Sequence, residues 1–330
     1  MRIYYYNVLL VDKCMQYTLE RSYMTNYALI DLGSNTVRLC IYQVNDTSNL
    51  TFTHEDFKTL LNTKKIAGLA NFVDSGEFSN AGIAKAVRVL KDHKKSIEYF
   101  NCKKIEVFAT AVLRNCTNSS EAIKKIETAV GLKINLLSET QEARLGFTGA
   151  SCTGVLEDGV LIDVGGGSTE FSRIRHGKCE SAHSIPIGTV SSYAQNISKV
   201  LPLPDEADMI ESTFNKLFKN STGANNSPAR KLYGIGGGVR SIFKFYSDAF
   251  LNGEPVTTLT QSQIDQIFIF YKGDSRKFAH QLAKTLPERM HTFLPGCIIV
   301  SSLFDRFGAK SISVCKKGVR EGYLIDNLLR

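Results

Sequence analysis

The chain has 330 residues and a formal net charge of +8, with 43% hydrophobic and 22% charged residues. This length favours two domains that each bury a core, and the basic balance favours a polyanionic partner. No apolar run is long enough to span a membrane, and no helix-turn-helix, zinc-finger or RNP-like motif is present, so neither a membrane nor DNA is an expected partner.

Residues 1–25 are interpreted as an N-terminal extension, either a segment translated upstream of the native start or a poorly packed tail. Residues 3–11 are apolar, but the run is short, interrupted by Asn7, and followed by no cleavage signal. A secretion signal is therefore not expected.

The first half of the chain predicts alternating strands and helices. The sequence indicates strands over 27–31, 37–44, 50–61, 104–109 and 134–137, a glycine-containing loop over 62–76, and helices over 79–100 and 139–150. Apolar residues of the first helix recur at 3.6-residue spacing. Asn118 is expected to cap a further helix, with Glu121 completing a capping box.

The second half follows the same plan. Strands are predicted over 159–164, 171–175 and 311–314, helices within 186–218, over 295–307 and over 318–329, and a strand-to-glycine turn over 232–238 that opens into a helix near Ser241. Strands alternating with helices indicate an α/β fold.

One short pattern occurs twice, 132 residues apart. The runs YALIDLGSNT (27–36) and GVLIDVGGGSTE (159–170) each consist of an apolar segment, an Asp and a glycine turn with small polar side chains. Such a turn presents successive backbone N–H groups to an anion. The pair predicts two similar halves, with a phosphate-binding cleft between them.

The phosphate ligands expected from these turns are their N–H groups and polar side chains, at Gly33, Ser34, Asn35, Thr36, Gly165, Gly166, Gly167, Ser168 and Thr169. Asp31 and Asp163 end the two strands, where each is either a turn-capping residue or a ligand of a hard cation such as Mg²⁺. Arg114 follows a strand and is either solvated or a phosphate ligand. Glu142, in the first turn of a helix, either favours the helix dipole or faces the cleft and takes a proton from water.

The eight cysteines are scattered without a C-x-x-C pair, and the six histidines show no metal-binding spacing. The sequence therefore predicts neither a disulfide framework nor a zinc site, and indicates a reducing, cytoplasmic compartment.

Taken together, these motifs resemble the exopolyphosphatase and guanosine pentaphosphate phosphohydrolase (Ppx/GppA) family of the actin-like, sugar-kinase and Hsp70 ATPase superfamily. Further matching segments are Thr110 through Arg114, 141–144 (QEAR), 234–238, 288–289, 295–296 and 318–322 (GVREG). The resemblance implies two ribonuclease-H-like domains flanking a central cleft, at 26–138 and 139–317, with residues 318–330 returning to the first.

The resemblance also implies roles for individual residues. Glu142 is the catalytic base, Arg114 binds phosphate, and Asp163 and Glu170 take part in holding the metal and positioning water, Glu170 also counting as catalytic. Together with Asp31 from the repeated pattern, the expected ligands of Mg²⁺ (or Mn²⁺) are Asp31, Asp163 and Glu170. The turn at Gly236, Gly237 and Gly238 lies where superfamily relatives contact a nucleoside.

The activity expected from the resemblance is Mg²⁺-dependent hydrolysis of the terminal phosphoanhydride of inorganic polyphosphate. The alternatives are hydrolysis of guanosine pentaphosphate, a non-catalytic nucleotide-binding regulator, and a kinase. A homodimer is also implied. Two departures stand out: the chain looks like the short form without a C-terminal HD-type domain, and Met290-His291 replaces a small and an acidic residue, so Glu288-Arg289 receives no role.

Overall fold

The computed structural model describes residues 24–45, 52–220 and 227–330. Its strands are β1 Met24–Leu32, β2 Thr36–Asn45, β3 Phe57–Ile66, β4 Val73–Asp74, β5 Glu77–Phe78, β6 Lys104–Ala109, β7 Ile134–Leu136, β8 Gly159–Val164, β9 Thr169–Arg175, β10 Lys178–Ile185, β11 Lys231–Ile235, β12 Thr258–Thr260 and β13 Ser311–Val314. The predicted extension lies outside the described residues as far as residue 23, and β1 begins at Met24, before the expected Tyr27.

The helices are α1 Asn80–Ile97, α2 Ala111–Arg114, α3 Ser119–Val130, α4 Glu139–Ser151, α5 Thr189–Asn196, α6 Pro204–Asn220, α7 Gly236–Phe250, α8 Gln261–Gly273, α9 Ser275–Thr285, α10 Phe293–Phe307 and α11 Val319–Leu324. A π-helical turn, Ile325–Leu329, follows α11. No helix within the described residues is long and apolar enough to cross a membrane.

Two sheets share one topology. The first has the order β3-β2-β1-β6-β7, with β1, β2 and β3 antiparallel and β6 and β7 parallel to β1. The second has the order β10-β9-β8-β11-β13-β12, with the same directions through β13 and an added antiparallel β12. We call the regions built on these sheets the first and second lobes. The predicted α/β fold with two ribonuclease-H-like units is confirmed.

Each sheet is covered on both faces. Helices α1 and α3 bury one face of the first sheet, and α11 buries the other, where Tyr323 stacks on Phe108 with ring centroids 5.0 Å apart. A larger, Phe-rich core lies between the second sheet and helices α6, α7 and α10. Helix α4 covers the opposite face of that sheet. The domain boundary expected between residues 138 and 139 stays a prediction.

Helices α4 and α11 cross in direct backbone contact between the two sheets. A Cβ atom at Gly149 would lie 1.8 Å from the carbonyl oxygen of Gly318, and one at Gly322 would lie 1.9 Å from that of Leu145. Real Cβ atoms do not approach backbone this closely, so both positions require glycine. This crossing fixes how α11 carries Arg320 toward the first lobe.

We expect Gly149→Ala to lower the free energy of unfolding by about 1–3 kcal/mol, the range for overpacking against atoms that cannot move aside. The roughly 1 kcal/mol that alanine gains over glycine in a helix offsets only part of this loss. Urea unfolding measures the change. Gly273→Ala, at the exposed end of α8 with nothing within 4 Å of a built Cβ, is the matched control. Equal stability of the two variants would contradict the close crossing.

Three local predictions are wrong. Strand β3 covers 57–66 rather than 50–61, because its polar residues pair with β2 as far as Ile66 opposite Thr36. Asn118 precedes α3 but does not cap it: its amide exchanges two hydrogen bonds with the backbone of Phe78 (2.8 and 3.0 Å), and no capping box forms. The glycines at 236–238 are the first turn of α7 rather than a turn before it. Helices α8 and α9 and strand β12 were not predicted.

Candidate active site

The two glycine turns predicted from the repeated pattern face each other across the lobes. The first connects β1 to β2 and the second connects β8 to β9. A Cβ atom at Gly166 would lie 3.0 Å from Cβ of Ser34, and one at Gly167 would lie 2.9 Å from its Oγ. The second turn therefore fits against the first only because it carries no side chains at these positions.

Each turn closes on itself and leaves its central amides unused. The Gly33 N–H donates to Thr36 O (3.2 Å), and the Gly165 N–H donates to Ser168 O (3.0 Å). Among the described residues, no acceptor is found for the N–H groups in the middle of the turns, those of Ser34, Asn35, Gly166 and Gly167. These four donors are available to an anion.

A cavity of about 170 Å³ opens between the lobes at these turns. Three groups of backbone line it: the first turn, the second turn and the first turn of α7. Its carboxylates are Asp31, Glu142 and Asp163, and its cationic side chains are Arg38, Lys64, Arg240, Arg289 and Arg320. The cavity thus offers more positive than negative side chains, as a polyanionic ligand requires.

A buried arginine joins two carboxylates behind the cavity. Arg114, at the end of α2, donates from Nη1 to Glu142 Oε2 (2.7 Å) and to Leu137 O (3.1 Å), and its Nη2 lies 3.8 Å from Glu170 Oε1. Ser184 donates to the same Glu170 oxygen (2.8 Å). Glu142, Glu170 and Arg114 are thereby held in one fixed arrangement.

Burial alters the acidity of these groups. It raises the pKa of Glu142 well above its ordinary value, with a further rise from Glu170, while Arg114 opposes both. Burial and the neighbouring Asp163 raise the pKa of Glu170 to about 7, and burial raises the pKa of Asp163 to about 6. Three negative charges are therefore costly here without a bound cation.

A small void of about 10 Å³ lies between Glu142, Asp163 and Glu170. This is close to the space that one water molecule needs, and three carboxyl groups supply its hydrogen-bond partners. The void adjoins the cavity, because Glu142 and Asp163 line both.

The two strand-ending aspartates differ in their partners. Asp31 Oδ2 accepts a hydrogen bond from Arg320 Nη1 (3.0 Å), and both side chains are less than one quarter exposed. The carboxylate of Asp163 has no hydrogen bond or ion pair within the described part of the chain. Helix α7 packs against it, and a Cβ at Gly236 would lie 1.9 Å from its Oδ1. No three His, Cys, Asp or Glu side chains in residues 24–45, 52–220 and 227–330 are arranged to hold a metal on protein ligands alone.

Most of the predicted site residues come together at the cavity. They are Asp31, Gly33, Ser34, Asn35, Thr36, Glu142, Asp163, Gly165, Gly166, Gly167, Ser168, Gly236, Gly237 and Gly238. Three do not line it. Glu170 lines the adjoining void, Arg114 lies behind the carboxylates that it binds, and Thr169 is fully buried with its hydroxyl donating to Ile187 O (2.7 Å). Phosphate binding by Arg114 and Thr169 stays a prediction.

The five cationic residues of the cavity were not predicted as site residues. Lys64, Arg289 and Arg320 lie in segments that the sequence singled out without giving them a role, whereas no local signal marked Arg38 and Arg240. Arg38 pairs with Asp31 across the first hairpin, and Glu170 pairs with Asp163 across the second. Equivalent positions of the repeat thus carry opposite charges. The first hairpin supplies a cation for binding, and the second supplies an acid.

Comparisons with known proteins identify the family of the chain. The profile of the Ppx/GppA phosphatase family matches residues 41–330. The bifunctional 3-dehydroquinate synthase/phosphatase of Fusobacterium nucleatum is 28% identical over 93% of this chain and 47% of that protein. Exopolyphosphatase 1 of Mycobacterium tuberculosis is 23% identical over 91% of this chain and 87% of that protein. The guanosine-5'-triphosphate,3'-diphosphate pyrophosphatase of Aeromonas hydrophila is 24% identical over 92% of this chain and 59% of that protein.

The chain spans about half the length of the first of these relatives and most of the mycobacterial one. The crystal structure of the Aquifex aeolicus Ppx/GppA enzyme superposes with a TM-score of 0.72 at 24% identity, covering 92% of this chain and all of that one. Exopolyphosphatases and pyrophosphatases are by name hydrolases of phosphoanhydride bonds. On the extent of the profile match, the chain belongs to the Ppx/GppA phosphatase family.

Proposed function

We propose that the chain is a phosphoanhydride hydrolase that releases the terminal phosphate of inorganic polyphosphate. One observation carries this proposal. Four turn N–H groups without an acceptor among the described residues lie in the same cavity as two of the carboxylates that line the small void. An anion cradle and a place for water are the two parts that hydrolysis of a terminal phosphate needs.

In this proposal the terminal phosphate lies against the opposed turns. The N–H groups of Ser34, Asn35, Gly166 and Gly167 would bind its oxygens, and the cationic side chains of the cavity would offset the charge of the phosphates that follow. Such fixed donors stabilise the charge that accumulates on a transferred phosphoryl group, which is where most of the catalysis of phosphoryl transfer arises.

Glu142 is the proposed general base. It lines both the cavity and the void, so it can accept a proton from a water that attacks the phosphate. Arg114 holds its Oε2 and fixes its orientation. General base catalysis of this kind contributes on the order of 10² to 10⁴ in rate.

Mg²⁺ or Mn²⁺ is the proposed cofactor, and the donor set fits one. The Asp163 carboxylate lies on the cavity wall and has no hydrogen-bond or ion-pair partner among the described residues. Asp31 lies on the opposite lobe, and Glu170 lies further back at the void. Mg²⁺ usually binds one or two carboxylates and completes its shell with substrate oxygens and water. The ion would supply charge neutralisation on the phosphate.

Guanosine pentaphosphate is the second candidate substrate. The first turn of α7, Gly236–Gly238, lines the same cavity as the opposed turns, and the family resemblance assigns this turn to contact with a nucleoside. The Aeromonas relative is named for this class of substrate. The chemistry at the terminal phosphate would be the same.

The test is phosphate release with Mg²⁺ from long polyphosphate, tripolyphosphate and guanosine pentaphosphate. Release from polyphosphate supports the first proposal, and release from the nucleotide alone supports the second. Binding of guanosine tetraphosphate without release from any substrate would favour a nucleotide-binding regulator, and ADP formation that depends on an acceptor would favour a kinase.

A further inference from the structure

One ion pair joins the two lobes at a wall of the cavity. Lys64, on β3 of the first lobe, donates to Glu288 Oε1 (3.0 Å), which lies on the short 3-10 turn Pro287–Arg289 of the second lobe. The side chains are 37% and 30% exposed. Lys64 lines the cavity, so Glu288 neutralises one of the charges that face the ligand.

The surroundings of this pair are cationic. Arg38 is the cross-strand neighbour of Lys64, and Arg289 follows Glu288 in the chain; both line the cavity. The Arg289 side chain has no hydrogen bond or ion pair within the described residues. Its Nη2 packs against the backbone of α7, where a Cβ atom at Gly237 would lie 2.3 Å from it. Lys64 and Arg289 therefore bring one positive charge from each lobe, with Glu288 as the counter-ion.

We propose that Glu288 is a specificity-determining residue, which a phosphate group beyond the terminal one must displace from Lys64. This inference rests on the proposed function, because it requires a condensed phosphate as the ligand. A phosphate that binds Lys64 and Arg289 would replace the carboxylate as the link between the lobes. Glu288 would then weaken the binding of each substrate that reaches this end of the cavity.

The exposure of Lys64 and Glu288 sets the size of the expected change in affinity. Because both partners are about one third exposed, the pair is screened by water and can be broken at small cost. Exposed ion pairs contribute up to about 1 kcal/mol, which corresponds to a change in affinity of about two- to fivefold. This is enough to set a preference and too little to prevent binding.

The experiment is calorimetric titration with tripolyphosphate of chains that also carry Glu142→Gln, so that the ligand is not consumed. We expect Glu288→Gln to lower Kd about two- to fivefold and Lys64→Gln to raise it by at least as much. When Lys64 is already replaced by Gln, adding Glu288→Gln should not lower Kd further, because the Lys64 ammonium that Glu288 neutralises is missing.

The neighbouring Lys65 provides the matched control. It pairs with Asp92 (2.6 Å) on the same lobe, with similar exposure, and it does not line the cavity. Asp92→Asn is expected to leave the Kd for tripolyphosphate unchanged. Equal tightening by Asp92→Asn and Glu288→Gln would mean a general effect of net charge and would overturn the inference.

Two other results would also overturn the inference. One is an unchanged Kd in Glu288→Gln, and the other is an equal decrease in Kd from Glu288→Gln in the presence of Lys64 and of Lys64→Gln. The proposed function is judged separately, by phosphate release from the chain with Glu142 intact. Hydrolysis with no effect of Glu288 would reject the inference and leave the function standing. If the variants change the Kd for tripolyphosphate as expected but the parent chain hydrolyses no substrate, the role of Glu288 in binding stands and the proposed function is rejected.

Discussion

Replacing Glu142 by Gln is expected to lower phosphate release by about 10² to 10⁴, the contribution of a general base, while the Kd for tripolyphosphate changes little. Gln has the shape of Glu, and its oxygen can still accept the hydrogen bond from Arg114. What it cannot do is take up a proton from water. Turnover at saturating substrate, with Kd measured in parallel, separates the two effects.

The fold should tolerate this change. Burial and the neighbouring Glu170 raise the pKa of Glu142 well above its ordinary value, so the folded state disfavours the charged form. A carboxyl group with a raised pKa contributes stability only at low pH and loses it as the pH rises. At pH 7 the neutral Gln variant should therefore unfold at no lower temperature than the parent. Marked destabilisation would show that loss of activity reflects loss of structure.

Glu139→Gln is the matched control. It lies one turn earlier, at the start of α4, but it is exposed and does not line the cavity. We expect its turnover to stay within about twofold of the parent, since surface substitutions away from a site have small effects. Near-normal turnover of Glu142→Gln would remove Glu142 from the mechanism.

The sequence predicted those parts of the site that depend on local order. A strand that ends in Asp and turns through glycine is recognisable within ten residues, and its repetition indicated both the cleft and the pair of aspartates. The burial of Glu142 could not be predicted, since it depends on α4 packing between the sheets.

The cationic side chains that line the cavity could not be predicted as a group, because they come together only in the folded chain. Arg320 reaches Asp31 across 289 positions of the sequence, and Lys64 reaches Glu288 across 224. A lone Lys or Arg in a sequence is most often solvated, and only the returning helix α11 and the facing lobes turn these into cavity residues. The same limit applies to the partners of Arg114: its place after a strand did not indicate that Glu142 and Glu170 would lie beside it.

Replacing Gly236, the first residue of α7, by Ala is expected to lower Mg²⁺-dependent turnover about 100-fold. Gly236 has φ +77°, and a Cβ there would lie 1.9 Å from Asp163 Oδ1. The carboxylate can move more easily than the backbone, so Asp163 would leave its position on the cavity wall. A displacement of about 1 Å at a reacting centre can cost 10²-fold in rate.

Backbone strain alone must be separated from this displacement, because alanine at positive φ costs roughly 1 kcal/mol wherever it occurs. Gly253→Ala is the matched control: its φ is +87°, and nothing lies within 4 Å of a built Cβ. Both variants should lose similar stability on thermal unfolding, and only Gly236→Ala should lose turnover and require more Mg²⁺. Equal turnover in the two would mean that the position of Asp163 does not matter. Loss of turnover in Gly236→Ala with unchanged Mg²⁺ dependence would assign Asp163 to positioning of water rather than to the metal.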